Sequence, residues 1–361
     1  MSLRLLMMGT GTFALPTFES LYESGHEVVG LVTQPDRSGR GHHQHAHPMK
    51  DAALERGTPV FQPENANATK SLERLREFGA DLFVVAAYGQ ILSAELLKIP
   101  QLGAINVHAS LLPKYRGAAP ILYAILNGET VTGITIFRIE PKLDAGPILG
   151  MVSTSIGAKE TTGDLEQRLS QLSPELTRDV INQLESGNAT EIQQDRSLVT
   201  TAPRMTKEIG QIDWSQPSDL IECHIRAMQP WPKPYTFLHS ESQPPLRLLI
   251  LDVDPLPPSV AEQKPGAILI EKDQESFGVV TGNGAVRVNQ LQPAGKRAMT
   301  TADFRRGHLL HSGDFSGAGV SFRLINSELT HCEESESAGT QSLVSDLSEW
   351  LCLHKVVSEG F

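Results

Sequence analysis

Cysteine is scarce in this 361-residue chain: Cys223, Cys332 and Cys352 are the only three, and their spacing matches no metal-ligand set. So few thiols exclude a disulfide-stapled scaffold and fit a reducing compartment. Long apolar runs are also missing. None approaches the roughly 20 residues of a membrane-crossing helix. The apolar start Leu3–Met8 is cut short by Gly9, with no cleavage-like small-residue site after it. Positive charge is in deficit, with 31 Lys and Arg against 42 Asp and Glu and a formal charge of −11. Part of that deficit lies at the end, where Glu328, Glu333, Glu334, Glu336, Asp346, Glu349 and Glu359 face Lys355 alone. No global basic field draws in nucleic acid, so any such contact must come from local patches.

What is present is the composition of a globular protein, 40% hydrophobic and 20% charged, with length enough for two cores. In the first half Leu3–Met8, Val28–Thr33, Leu82–Ala86, Ala104–His108 and Gly133–Ile139 read as strands. Pro16–Ser24, Asn67–Phe78 and Leu165–Glu185 read as helices between and after them. That alternation predicts a mostly parallel sheet with helices on both faces. A polar stretch then reads as a linker. A helix over Pro217–Met228 follows, stopped by Pro230, Pro232 and Pro234. From Leu246 onward short apolar runs, with Asn283-Gly284 as a hairpin signal, predict a small antiparallel β-barrel. The expected division is a first domain over 1–188, a linker over 189–206, the β domain over 207–323 and a loosely ordered acidic tail over 324–361.

The chemistry concentrates between Asn106 and Gly146. Asn106 and His108 sit two apart at the end of a predicted strand, so both point to one side and Val107 to the other. In open parallel sheets the strand C-termini open onto the binding crevice. Asp144, in the Leu143-Asp144-Ala145-Gly146 turn, can come back beside His108. An amide, an imidazole and a carboxylate suit acyl transfer between two nitrogens. The amide holds an oxyanion without titrating. The imidazole takes and returns a proton near neutral pH. The carboxylate orients the imidazole and favours its charged form. An isolated Asn-x-His reads more simply as turn and capping groups at a strand end; the neighbouring residues decide.

Those neighbours are specific. Asn106-Val107-His108-Ala109-Ser110-Leu111-Leu112-Pro113, Tyr115-Arg116-Gly117-Ala118-Ala119-Pro120, Thr33-Gln34-Pro35-Asp36-Arg37 and Leu143-Asp144-Ala145-Gly146 together resemble the folate-dependent formyltransferases. Ile212-Asp213-Trp214, Pro230-Trp231-Pro232 and Gln292-Pro293-Ala294-Gly295-Lys296 carry the likeness over roughly residues 1–310, toward the branch acting on methionyl-tRNA. The resemblance implies a Rossmann-like catalytic domain followed by an OB-like β-barrel. It implies 10-formyltetrahydrofolate as formyl donor and the amino group of methionyl initiator tRNA as acceptor. By position Asn106, His108 and Asp144 match the catalytic trio. Ser110, Leu111, Leu112 and Pro113 match the folate-contacting loop, and Tyr88, Gly89 and Ile91 line the same pocket. A cytoplasmic monomer is expected.

Three places depart from the family pattern. Gly9-Thr10-Gly11-Thr12-Phe13-Ala14 differs from the usual first turn, Gly39-Arg40-Gly41 leads into His42–His47 rather than lysines, and the tail matches nothing. Gly9-x-Gly11-x-x-Ala14 also satisfies a dinucleotide fingerprint, which makes an NAD-dependent oxidoreductase the rival; a tight strand-to-helix turn explains it as well. The histidine run fits no standard ligand spacing, so no metal is expected. Arg40 and the basic pair Lys296-Arg297 are candidate tRNA contacts; an ordinary solvated face is the other reading of the pair. Trp231, flanked by prolines, reads as a core residue, with an aromatic stacking surface as the other reading. A sugar-nucleotide or purine-precursor amine is the alternative acceptor. A non-catalytic tRNA-binding protein would not need all three of the trio.

Overall fold

The computed structural model describes residues 2–36, 47–240, 243–256, 263–270, 276–308, 310 and 314–317. The expectations for Arg40, for His42 to His45 and for the tail over 324–361 lie outside the described residues.

In chain order the strands of the first part are β1 (Arg4–Gly9), β2 (Glu27–Val32), β3 (Val60–Phe61), β4 (Leu82–Ala86), β5 (Ala104–His108), β6 (Arg116–Gly117), β7 (Val131–Arg138), β8 (Ile148–Ser155) and β9 (Thr201–Ala202). Its helices are α1 (Leu15–Leu21), α2 (Pro48–Glu55), α3 (Thr69–Glu77), α4 (Ala94–Leu97), α5 (Pro120–Leu126) and α6 (Thr162–Glu185). Seven strands form one sheet in the order β3-β2-β1-β4-β5-β7-β8. The first five of that order are parallel, and β7 pairs antiparallel with both β5 and β8.

Alternation along each strand feeds two cores. Leu5 and Met7 of β1 join Val84, Ile105, Phe18 of α1, Leu122 of α5 and Leu165 of α6 on one face. Leu6 and Met8 join Phe83, Val85, Leu72 and Leu75 of α3 and Leu96 of α4 on the other. Strands buried on both faces explain the continuous apolar runs in the sequence. The start of α6 lies ahead of its apolar periodicity because Thr161 and Asp164 form a capping box there.

The second part carries α7 (Ser218–Ala227), β10 (Tyr235–Ser240), β11 (Gln243–Leu256), β12 (Ile268–Ile270), β13 (Phe277–Val280), β14 (Ala285–Pro293), β15 (Met299–Thr300), α8 (Thr301–Gly307) and β16 (Phe315–Gly317). Its sheet runs β12-β13-β14-β11-β10-β16, antiparallel throughout, with β15 on β14. The Ile268 N–H donates to the Asp314 carbonyl at 3.0 Å, which brings the two ends of that path together. Ile221 and Ile225 of α7 and Phe304 of α8 pack into the core of this curved sheet.

Lys159, just before α6, donates to the Val253 carbonyl at 2.7 Å and to Asp254 Oδ1 at 2.7 Å, which ties the two sheets together. The Thr162 hydroxyl donates to the carbonyl of Ala227 at 2.7 Å beside it. Trp231 is not in the core. Lys233 N–H bonds the Met228 carbonyl at 2.9 Å, and the turn it closes leaves Trp231 exposed. The buried indole is Trp214, whose Nε1–H donates to Thr236 Oγ1 at 3.0 Å. Among the described residues no helix is long and apolar enough to cross a membrane.

Candidate active site

Asn106 and His108 stand at the C-terminal end of β5. Asn106 lies between Val85 of β4 and Phe137 of β7, and His108 lies opposite Thr135 of β7. Val107 points into the core beneath. His108 is buried, and its Nε2 lies 2.8 Å from the Tyr115 carbonyl oxygen. A carbonyl only accepts, so Nε2 carries the proton and Nδ1 is the basic nitrogen of the neutral ring. Burial lowers the basicity of His108, while the Asp144 carboxylate and the Tyr115 carbonyl pull the other way. The outcome is an imidazole that is neutral at pH 7 and still able to take a proton.

The loop after β5 is pinned from both ends. Ser110 Oγ donates to the Lys114 carbonyl at 2.6 Å. Thr135 Oγ1 donates to the Ser110 carbonyl at 2.6 Å and accepts from Leu112 N–H at 3.1 Å. Ser110 is buried, Leu111 and Pro113 are half-buried, and Leu112 packs against Phe137 and Ile148. Tyr88, Gly89 and Ile91 follow β4, the strand beside β5. The Tyr88 ring is a core group, so the main chain at Gly89 and the 80% exposed Ile91 side chain are what this loop presents to solvent.

Asp144 lies in the connection from β7 to β8 with φ 45°, a left-handed conformation uncommon outside glycine. Its Oδ2 accepts the Gly117 N–H at 2.7 Å. Gly117 belongs to β6, which pairs with β9: Arg116 opposes Thr201 and Gly117 opposes Ala202. A side chain at Gly117 would meet the Ala202 carbonyl oxygen at 2.4 Å, so only glycine permits this approach. The stretch expected to be a polar linker therefore runs along the first part of the chain. Ile192 and Ile148 exchange hydrogen bonds, Tyr115 N–H donates to Thr200 Oγ1 at 3.1 Å, and Arg116 N–H donates to the Thr200 carbonyl at 2.9 Å. Gln194 sits among these contacts, between Arg116 and the Asp144 turn. A cavity of about 320 Å³ opens there, lined by Arg116, Lys142, Leu143, Arg196, Val199 and Thr201.

The comparisons with known proteins place the chain that carries this arrangement. Residues 1–181 match the family model described as Formyl transferase, and residues 204–309 match Formyl transferase, C-terminal domain. The methionyl-tRNA formyltransferase of Alkaliphilus oremlandii is 39% identical over 316 residues, spanning 87% of this chain and all of that protein. That of Geobacter metallireducens is 42% identical over 315 residues, spanning 86% of this chain and 97% of its own. The chain belongs to the methionyl-tRNA formyltransferase family. It is a formyltransferase, which sets aside the oxidoreductase reading of Gly9-x-Gly11.

Solved structures share the fold at low identity. WlaRD, a sugar 3N-formyl transferase, superimposes with a TM-score of 0.57 at 17% identity over 82% of this chain and all of its own. HypX from Aquifex aeolicus, solved with tetrahydrofolic acid, gives 0.55 at 16% identity over 88% of this chain, which spans about half of HypX.

Other expected site residues stand apart. Lys296 and Arg297 lie exposed in the turn from β14 to β15, and no described carboxylate forms an ion pair with either. His47 is described and its Nε2 lies 3.4 Å from Asp36 Oδ1, while Lys50 pairs with Oδ2 of the same carboxylate. Gln194 and Thr200 were not visible as site residues in the sequence: each is a lone polar residue in a loop, with no periodicity and no motif partner. Thr135 lay within Gly133-Ile134-Thr135, which shares in the family resemblance, but nothing there pointed to the loop it pins. Arg116-Gly117 lay inside a recognisable motif, but nothing in it pointed to Asp144.

Proposed function

We propose that this enzyme moves the formyl group of 10-formyltetrahydrofolate onto the α-amino group of methionyl initiator tRNA. The neutral amine attacks the formyl carbon, and the carbonyl π pair moves onto oxygen. Asn106 donates its side-chain N–H to that oxyanion. Nδ1 of His108 takes the proton that the attacking nitrogen must lose and returns one to N10 of the folate as the C–N10 bond breaks. Asp144 favours the transient imidazolium. No side chain becomes acylated.

The observation that carries this reading is the state of His108. It is buried and neutral, its tautomer is set by the Tyr115 carbonyl, and a carboxylate is near enough to raise its basicity. The donor fits the crevice at the ends of β4 and β5, where the exposed Ile91 side chain, Gly89 and the pinned Ser110–Pro113 loop offer apolar and main-chain surface to a pterin. We assign tRNA backbone contacts to Lys296 and Arg297, with Arg40 as a third. The working division is catalysis in 1–188 and tRNA docking in 207–323, with 189–206 between them.

The decisive assay is formyl transfer from 10-formyltetrahydrofolate to methionyl initiator tRNA, with uncharged tRNA and a UDP-amino-sugar as parallel acceptors. Transfer to the charged tRNA alone is expected. Transfer to the sugar alone would keep the chemistry and overturn the acceptor. In the same assay Asn106→Ala should lose about 10²–10³-fold in kcat, the usual cost of one oxyanion donor, with donor KM little changed. Near-parent turnover would remove Asn106 from the mechanism.

A further inference from the structure

We propose that Gln194 is a positioning residue for Asp144, and that Arg116 holds Gln194 in place for that task. The inference rests on the catalytic reading of Asp144 above. Asp144 needs such support because its backbone is left-handed, a conformation that persists only where the surroundings over-determine it. Gln194 supplies that determination. Its Nε2 amide donates to the Asp144 carbonyl at 2.8 Å and to the Gly146 carbonyl at 2.8 Å. One side-chain amide thus spans the turn on both sides of Ala145. Asp144 is held a third time through its carboxylate by Gly117 N–H.

Arg116 decides which way the amide faces. Its Nε and Nη2 donate to Gln194 Oε1 at 3.1 and 2.7 Å. A guanidinium only donates, so the oxygen must face Arg116 and both amide hydrogens are left for the two carbonyls. Arg116 is 7% exposed and Gln194 8% exposed. Among the described residues no carboxylate lies within ion-pair distance of Arg116. A buried cation bonded to a neutral amide is an expensive arrangement for fold stability alone; its geometry serves the turn that carries Asp144. The backbone keeps Gln194 in register as well, since Ile192, two residues earlier, pairs with Ile148 at the start of β8.

The test uses the full chain with Gln194→Glu, Gln194→Asn and, as the control for the underlying reading, Asp144→Asn. Gln194→Glu keeps an oxygen for Arg116 but loses both amide donors. Parent-like unfolding temperature with a kcat loss of about 10²-fold is expected, the scale of a misplacement near 1 Å. Donor KM should stay near parent. The acidic limb of the pH–kcat profile should move to lower pH, because a displaced Asp144 carboxylate no longer raises the basicity of His108. Gln194→Asn keeps the amide on a shorter stem and should lose less. It carries the same readouts if Gln194→Glu does not fold.

Parent kcat in both Gln194 variants, with Asp144→Asn inactive, would overturn the positioning role and leave the catalytic reading intact. A kcat loss with an unmoved acidic limb and a matching rise in donor KM would mark Gln194 as merely structural and overturn it too. Parent kcat in Asp144→Asn would sink the catalytic reading itself.

Discussion

His108 Nε2 lies 2.8 Å from the carbonyl oxygen of Tyr115, and that contact fixes the basic nitrogen of the ring as Nδ1. Burial at the same time lowers the basicity of His108 from its ordinary value near 6.5. A group that works as a base when neutral then gives a rate that rises with pH through its own pKa and is flat above it. With acceptor bound and saturating, kcat should be on its plateau at pH 7, with its acidic midpoint below 6.5. In the residual activity of Asp144→Asn that midpoint should lie lower still. His108→Ala should cost about 10²–10⁴-fold in kcat, the range for a general acid–base group. A midpoint above 7 that persists with an acceptor of lower amine pKa would contradict the neutral-base assignment.

Gly117→Ala tests the pairing of β6 with β9. The added methyl would lie 2.4 Å from the Ala202 carbonyl oxygen, at a φ of 126°. We expect a stability loss of roughly 1–3 kcal/mol, the cost of holding a strained backbone, seen as a lower unfolding temperature. Amide exchange at Ala118, whose N–H bonds the Ala202 carbonyl at 2.8 Å, should accelerate more than exchange in β1 or β4. Equal protection across all three would mean that the β6–β9 contact contributes little.

Lys296→Ala combined with Arg297→Ala should weaken tRNA binding and leave folate kinetics untouched. Two lost phosphate contacts should flatten the slope of log K against log salt by about 2. An unchanged KM for the charged tRNA would assign this turn to the solvated surface.

Truncation after Arg323 removes the acidic tail and its formal charge of −6 with it. Transfer activity should survive, and acceptor KM should stay level or fall as the repulsion between tail and tRNA phosphates goes. A large drop in kcat would give the tail a part in the site.

Much of the site was legible because strand periodicity and motif coincide in one place. Ala104–His108 is a strand over the residues expected, and the period-two alternation separates Val107 from Asn106 and His108. The helix over Ser218–Ala227 and the hairpin at Asn283-Gly284 were legible for similar local reasons. β8 was missed. Its outer part, Met151–Ser155, alternates exposed and half-buried Ser, Thr, Met and Val, so hydrophobicity gives it little contrast. The stretch 192–202 was read as a linker rather than as chain paired with β6 and β8 because main-chain pairing leaves no mark on side-chain polarity. Tyr88 was placed at a pocket wall, whereas its ring joins Met8, Val85 and Leu96 in the core. A motif can mark a loop as functional without saying which atoms of it face the ligand.

The brace formed by Gln194 and the β9 strand falls between the two family domains, which end at residue 181 and resume at residue 204. Those 22 intervening residues make a domain boundary drawn from sequence a poor guide to where this enzyme can be cut and rejoined. A chimaera that takes its C-terminal half from a relative with the junction at 181 would import a foreign brace onto the native Asp144 turn. A junction placed after Pro203 would leave turn and brace co-inherited. On the role proposed for Gln194, such a chimaera should keep more of its kcat with the junction after Pro203 than with the junction at 181.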